Sequence, residues 1–200
     1  MRKILFLLAM VCIVSCTQTK NEVQTELPNE KNAKADIVSE YFSKIDSAMN
    51  CGKLYHLNVH EIGKFKHIEI SVYDIQQDNN HLYYIQLRKD VGSDYYYNWE
   101  VVRMLSEEVK YMREAADVIM SNMSRTVKNE ERYVYITKDN FRLYSARKAS
   151  DKRWESVLDM DYLKSDSKYY TYVDKEGLSE FIGMIEKADK KIQELKEAEQ

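Results

Sequence analysis

The sequence predicts an α+β fold, in which an antiparallel sheet carries helices on one face. Segments rich in tyrosine, valine and isoleucine fill both halves of the chain, and in each half a long amphipathic pattern follows them. Adding 73 to apolar positions of the first half gives apolar positions of the second, as for Leu105 with Leu178 and Ile119 with Ile192. We therefore predict a duplicated β-β-β-α unit preceded by an N-terminal helix. The alternative is two unrelated strand-rich stretches, each followed by a helix.

The elements of the first half follow from local patterns. A helix is expected after Asp36, its N-cap, because Ile37, Tyr41 and Ile45 recur on one face and Gly52 can end it. Extended segments follow, and their predicted bounds are Leu54–Glu61, Lys66–Ile75, His81–Lys89 and Tyr95–Val102. A long helix is then predicted from about Leu105 to Ser124, with Ser106 as its cap.

The second half repeats this order. Its extended segments are predicted at Arg132–Thr137, Phe141–Arg147, Trp154–Met160 and Tyr169–Val173. A helix is predicted from about Lys175 to near the C-terminus. The 73-residue offset pairs Ile70 with Leu143, Ile85 with Leu158 and Leu87 with Met160, without gaps.

The N-terminus has the pattern of an export signal. Two cations precede an apolar run of 11 residues, Ile4 to Val14, which is shorter than the ~20 residues that a transmembrane helix needs. The run ends in Ile13-Val14-Ser15-Cys16, which resembles the lipobox of bacterial lipoproteins. The resemblance covers residues 1–16 and implies a diacylglycerol on the Cys16 thiol and cleavage before it. The alternative is an ordinary signal peptide cleaved near Ser15.

These patterns divide the chain into three parts. Residues 1–15 are the expected signal peptide, 16–34 the lipid anchor and a flexible polar spacer, and 35–200 one domain of two pseudo-repeats, about 35–128 and 129–200. The resemblance implies anchoring to the bilayer outside the cytoplasm through acyl chains on Cys16. In the lipoproteins of Gram-negative bacteria, an aspartate after the lipidated cysteine favours retention in the inner membrane. Thr17 occupies this position here, so the resemblance implies the outer membrane rather than the inner one.

Charge and cysteine content exclude several classes of protein. The formal charge of −3 becomes −5 after loss of Arg2 and Lys3, which argues against nucleic-acid binding. Of the three cysteines, Cys12 would leave with the signal peptide and Cys16 would carry the lipid. Only Cys51 would then keep a free thiol, so no intramolecular disulfide could form. The sequence lacks glycine-rich nucleotide motifs and clear metal-ligand spacing, so we predict no cofactor and no metal.

Two groups of residues are candidates for binding. Tyrosine is abundant, with 16 in the chain, and its large contact area and polar tip suit proteins or glycans. The predicted binding face consists of aromatic residues, namely Tyr84, Tyr96, Trp99, Tyr133, Tyr135, Tyr170 and Tyr172. The predicted contacts to an anionic partner are the cations Arg142, Arg147, Lys148, Lys152 and Arg153. The alternative is that the tyrosines complete the core and the cations are solvated.

The expected function is that of a non-enzymatic, membrane-anchored module that binds an envelope protein or a glycan. A rival expectation is an envelope hydrolase whose carboxylates, such as Asp159 with Asp161 or Asp174 with Glu176, meet only in the fold. A third is a structural assembly lipoprotein whose C-terminal helix docks on a partner.

Overall fold

The computed structural model describes residues 31–50, 52, 54–77, 79–92, 98–147, 150, 153–164 and 166–199; for 31–39 and 50 the description is limited to the main chain. Helix α1 spans Lys31–Asn50. It begins before the predicted domain start at residue 35, and Asp36, the expected N-cap, lies inside it. Cys16, Cys51, Tyr96, Lys148 and Lys152 lie outside the described residues.

Two four-stranded antiparallel sheets follow α1, each with its strands in chain order. The first sheet consists of β1 (His56–Phe65), β2 (Ile68–Gln77), β3 (Asn80–Asp90) and β4 (Trp99–Met104), followed by α2 (Ser106–Asn122). The second consists of β5 (Glu131–Ile136), β6 (Arg142–Arg147), β7 (Glu155–Asp159) and β8 (Tyr170–Val173), followed by α3 (Lys175–Ala198). The predicted α+β class is confirmed. The repeated unit has four strands rather than three, and each unit forms its own sheet.

The two halves share one core. Helix α3 packs across β1, β2 and β3 of the first sheet, whereas α2 packs against β5 and β6 of the second. The main buried cluster therefore draws on both sheets and both helices, with Ile70, Leu143, Met112 and Phe181 among its members. We call the sheet faces that meet α2 and α3 the inner faces and the opposite ones the outer faces.

Helix α1 covers part of the outer face of the first sheet. Successive strand residues point to opposite faces, so Tyr73 and Ile75 point away from the main core, as do Leu82 and Tyr84. These side chains form a second buried cluster with Phe42 and other residues of α1. The first sheet thus has helices on both faces, which corrects the prediction that all helices lie on one.

The start of α2 is fixed by a buried carboxylate. Glu108 accepts hydrogen bonds from the main-chain N–H of Leu105 at 3.0 Å and from that of Lys138 at 2.7 Å. Burial raises the pKa of Glu108, although both hydrogen bonds oppose the rise. Ser106, the predicted cap, instead hydrogen-bonds Asp189 on α3. Helix α2 is thereby tied to the β5–β6 turn and to α3.

Strand pairing shows that the repeat contains a register difference. Ile70 pairs with Leu87 in the first sheet, and Leu143 pairs with Leu158 in the second. Leu158 lies 71 positions after Leu87, so the predicted match of Leu87 with Met160 is wrong by two residues. A shift of two keeps each side chain on its original face, which explains why the apolar pattern survives it.

Candidate functional site: an apolar row on the second sheet

One row of side chains crosses all four strands of the second sheet on its outer face. The cross-strand partners are Val134 with Tyr144, Tyr144 with Val157, and Val157 with Tyr172. We call these four residues the apolar row. Cross-strand neighbours of this kind lie about 4.5–5.5 Å apart at Cβ, so the four side chains form one continuous surface.

The equivalent row of the first sheet is polar. Its members, related to the apolar row by strand pairing, are Glu61, Ser71, Gln86 and Arg103. Arg103 is held by Asp46 of α1 at 2.5 Å and by Asp139 at 3.4 Å. Two units with the same strand order thus carry different chemistry, polar in one and apolar in the other, at the same place on the sheet. This difference singles out the second sheet as the candidate binding surface.

Much of the apolar row is open to solvent. Val134 is 54% exposed and Tyr172 58% exposed, and the neighbouring Ile136 is 42% exposed. Val157 is buried between its neighbours, which gives the row a packed floor. Among the described helices, α1 packs on the first sheet, and α2 and α3 pack on the inner faces. Exposed apolar side chains grouped in this way are typical of a binding surface.

A buried ion pair lies beside the apolar row. Arg142 donates from Nη2 to Asp159 at 2.7 Å, and the guanidinium lies 5.4 Å from the ring centre of Tyr144 and 6.0 Å from that of Tyr162. Burial raises the pKa of Asp159, a rise that Arg142 opposes. At the equivalent place of the first sheet, Glu69 faces Arg88 with the charges exchanged. Each pair links the two central strands of its sheet.

The predicted aromatic face is divided by the structure. Tyr84 is buried beneath α1, and Tyr133 and Tyr135 pack against the main core, where the Tyr135 hydroxyl donates to the carbonyl of Glu108. These three residues cannot form the exposed face that the sequence suggested. Tyr170 and Tyr172 both point to the outer face of the second sheet, where Tyr172 is exposed, whereas Tyr170 is only partly exposed and also packs against the main core.

Trp99 lies apart from this pair, on the outer face of the first sheet. It is stacked under Arg88, whose guanidinium is 4.3 Å from the ring centre. The predicted aromatic residues that can be placed therefore occupy three different surfaces, of which only the one with Tyr170 and Tyr172 contains the apolar row.

The predicted cationic group is also divided. Arg142 is neutralised by Asp159, and Arg147 donates to the carbonyl of Arg125 at 2.8 Å. Arg153 is exposed and lies two residues before β7. Lys148 and Lys152 lie outside the described residues. The two arginines with structural partners are thus committed to contacts within the protein.

A polar cluster on the first sheet is the best alternative site for chemistry. Asp74 is buried and accepts from Asn58 at 3.1 Å and from Gln76 at 2.7 Å, and its other oxygen lies 2.9 Å from Nδ1 of His81. The same Nδ1 lies 2.9 Å from Glu199. In hydrolases with a catalytic triad, a carboxylate orients a histidine, and the histidine activates a serine or cysteine nucleophile. The hydrogen-bond partners of His81 within the described residues include no serine or cysteine.

The carboxylate pairs named for a hydrolase have local structural roles. Asp159 accepts from Arg142 and from the N–H of Asp161 at 3.2 Å. Asp174 caps α3 by accepting from the N–H of Gly177 at 2.8 Å. In the described part of the chain, no three His, Cys, Asp or Glu side chains are grouped so that they could hold a metal ion.

Val134, Tyr144 and Val157 are residues of the site that sequence reasoning missed. They lie on three different strands, and only the register of two hairpins brings them together. The signal available in the sequence was the alternation of β5, in which Val134 and Ile136 share one face and Tyr133 and Tyr135 the other.

Comparisons with known proteins were made at three levels. No family model matches the chain, and no curated protein or solved structure matches it either. Among the helices of the described residues, none is both long and apolar enough to span a bilayer.

Proposed function

We propose that this protein is a membrane-anchored lipoprotein that binds a partner protein of the cell envelope through the apolar row. The observation that carries the proposal is the contrast between Val134, Tyr144, Val157 and Tyr172 and the polar residues at the equivalent places of the first sheet. Aromatic and aliphatic side chains on an exposed sheet face provide the contact area that protein interfaces use.

The lipid anchor is the second part of the proposal. Acyl chains on Cys16 would hold the domain beside the membrane, on a segment that ends where α1 begins at Lys31. Tethering raises the effective concentration of a partner in the same membrane, so a surface of modest size becomes sufficient. Incorporation of labelled palmitate should be lost in Cys16→Ala, and unchanged incorporation would contradict the anchor.

The binding surface is tested by giving the second sheet the residues of the first. Val134→Glu together with Tyr144→Ser reproduces Glu61 and Ser71 at the equivalent places. Proteins copurified with the natural and the exchanged chain are compared by quantitative mass spectrometry. We expect at least one envelope protein to be lost from the exchanged chain.

The matched control is Val118→Ser on α2, which removes an exposed valine (42% exposed) outside the apolar row. It should retain every partner that the natural chain captures. Val118→Ser should melt near the natural temperature, and the exchanged chain should keep the circular dichroism spectrum of the folded protein, because its substitutions lie outside the main core. Equal recovery of all partners with the exchanged chain would refute the proposed surface.

A further inference from the structure

The free edges of the two sheets are not equivalent, and β8 is the most thoroughly blocked. The pairing of Met160 with Tyr169 fixes which main-chain groups of β8 face β7, so the carbonyls of Tyr170 and Tyr172 face outward. Lys89 donates to the Tyr170 carbonyl at 2.6 Å, and Lys66 donates to the Tyr172 carbonyl at 2.6 Å. Two lysines of the first half thus occupy this edge.

The edges of the first sheet are also protected, in two different ways. Strand β1 has a bulge between Glu61 and Gly63, and Lys187 of α3 reaches the Ile62 carbonyl at 3.5 Å. On β4, the outward N–H of Arg103 donates to Asp139 at 2.7 Å. Bulges and edge-occupying side chains are the devices by which natural sheets prevent pairing with another chain.

In the part of the chain that the structure describes, β5 has no bulge, and no side chain is seen to bind the main chain of its second half. Its register with β6 is regular from Glu131 to Ile136, although β1, its counterpart in the repeat, is bulged. Thr137 donates from its N–H to the Phe141 carbonyl, so alternation directs the main-chain groups of Val134 and Ile136 toward the free edge. Within the described residues, no hydrogen bond reaches the main chain of either residue, and both side chains are exposed.

We propose that β5 pairs antiparallel with β5 of a second copy of this chain, about a two-fold axis at Val134. This register places Arg132 opposite the partner's Ile136, and it places Glu130, which also pairs with Arg132 of its own chain, opposite the partner's Lys138. The ends of the paired strands therefore carry opposite charges. The two sheets become one, and the two apolar rows join end to end through Val134. The second copy therefore doubles the surface to which the proposed function assigns partner binding.

The membrane makes this weak pairing effective, and here the inference rests on the proposed lipid anchor. A strand of six residues buries far less than the ~1,600 Å² of a standard stable interface. Two chains anchored in one bilayer meet at a much higher effective concentration than two chains in dilute solution. We expect the unlipidated domain to be monomeric in dilute solution and the anchored chain to be paired.

Disulfide trapping in native membranes tests the pairing. In a Cys51→Ser background, Val134→Cys places two thiols directly opposite each other, at the ~5.5 Å between Cα atoms that suits both a hydrogen-bonded pair and a disulfide. Mild oxidation should give a covalent dimer at least about tenfold faster than with Glu61→Cys, its matched control on the bulged edge of β1. Equal rates for the two variants would overturn the pairing.

The register gives a second test, because random collisions would crosslink matched and mismatched pairs of cysteines equally. Membranes that contain both Arg132→Cys and Ile136→Cys chains should form the mixed dimer, and each variant alone should form little. Ile136→Pro, which removes an outward N–H but no bond to β6, should abolish trapping at Val134→Cys without unfolding the domain.

Each result has a separate meaning for the two proposals. Trapping that survives Ile136→Pro, or dimers that form equally from the single variants, would overturn strand pairing. Loss of a heterologous partner in the Val134→Glu and Tyr144→Ser exchange would still support the proposed function in that case. A failure of both experiments would remove the apolar row from consideration.

Discussion

Replacing Arg142 with methionine is expected to destabilise the protein strongly, because it leaves the Asp159 carboxylate buried without its guanidinium. Asp159 has no exposed surface, and Arg142 donates to it at 2.7 Å. Removing one partner of a buried ion pair costs about 3–5 kcal/mol. Lys89 also lies within the field of Asp159, so we expect a cost near the lower limit, about 3 kcal/mol.

The first sheet supplies the matched control. Glu69 and Arg88 occupy the equivalent places with charges exchanged, but their side chains are 31% and 43% exposed. A pair that water reaches contributes under about 1 kcal/mol, so Arg88→Met should cost at least about 2 kcal/mol less than Arg142→Met. Urea unfolding followed by circular dichroism gives both free energies of unfolding. Equal costs would refute the conclusion that burial distinguishes the two pairs.

The pH dependence of the same variant has a definite sign. Burial raises the pKa of Asp159 in the folded protein, so this group weakens folding progressively as the pH rises from the pKa of the unfolded chain through the folded pKa. Arg142 opposes this rise, and its loss should therefore be most costly at neutral pH and smaller at about pH 4. A cost for Arg142→Met that does not change between these pH values would contradict the assignment.

Three further predictions concern the scaffold. Gly63 lies in the β1 bulge at φ 154°, so Gly63→Ala should lower the free energy of unfolding by about 1–3 kcal/mol. Gly183→Ala, on the open side of α3, should raise it by about 0.5–1 kcal/mol. A higher melting temperature for Gly63→Ala would contradict this. Glu108→Ala should cost about 1–3 kcal/mol in urea unfolding, because two main-chain N–H groups lose their acceptor, and an unchanged midpoint would refute that role. Lys89→Met should speed hydrogen exchange in β8 by freeing the Tyr170 carbonyl and the end of the strand, and unchanged protection would show that the lysine does not hold this edge.

Strand and helix positions were predictable because they depend on local alternation. The alternation of β5 and the apolar face of α3 are both visible in the sequence. On α3, the residues Leu178, Phe181 and Ile185 are buried as expected. On β5, one side of the strand is partly buried and the outward side is exposed. The 73-residue offset also identified equivalent helices. It failed within the sheet, where Leu158 rather than Met160 corresponds to Leu87, since a two-residue change in register leaves the apolar alternation intact.

The binding surface was less predictable because it depends on contacts between distant segments. Tyrosine is a residue type that is common on binding surfaces, which is why Tyr84 was expected there, but α1 covers its side chain. The sequence predicts that Arg142 contacts an anionic partner, but Asp159 lies opposite it on the next strand and forms its ion pair. Neither partner can be identified from the neighbouring sequence, because hairpin register and helix docking decide both.

The most direct measurement of the central claim is photocrosslinking in intact cells. A benzophenone amino acid placed at Tyr172 lies in the apolar row, and the same group at Val118 lies on α2 with comparable exposure. The proposed function predicts a discrete covalent adduct with an envelope protein from position 172, and none from position 118. The same adducts from both positions, or none from position 172 while the protein remains folded and anchored, would contradict it.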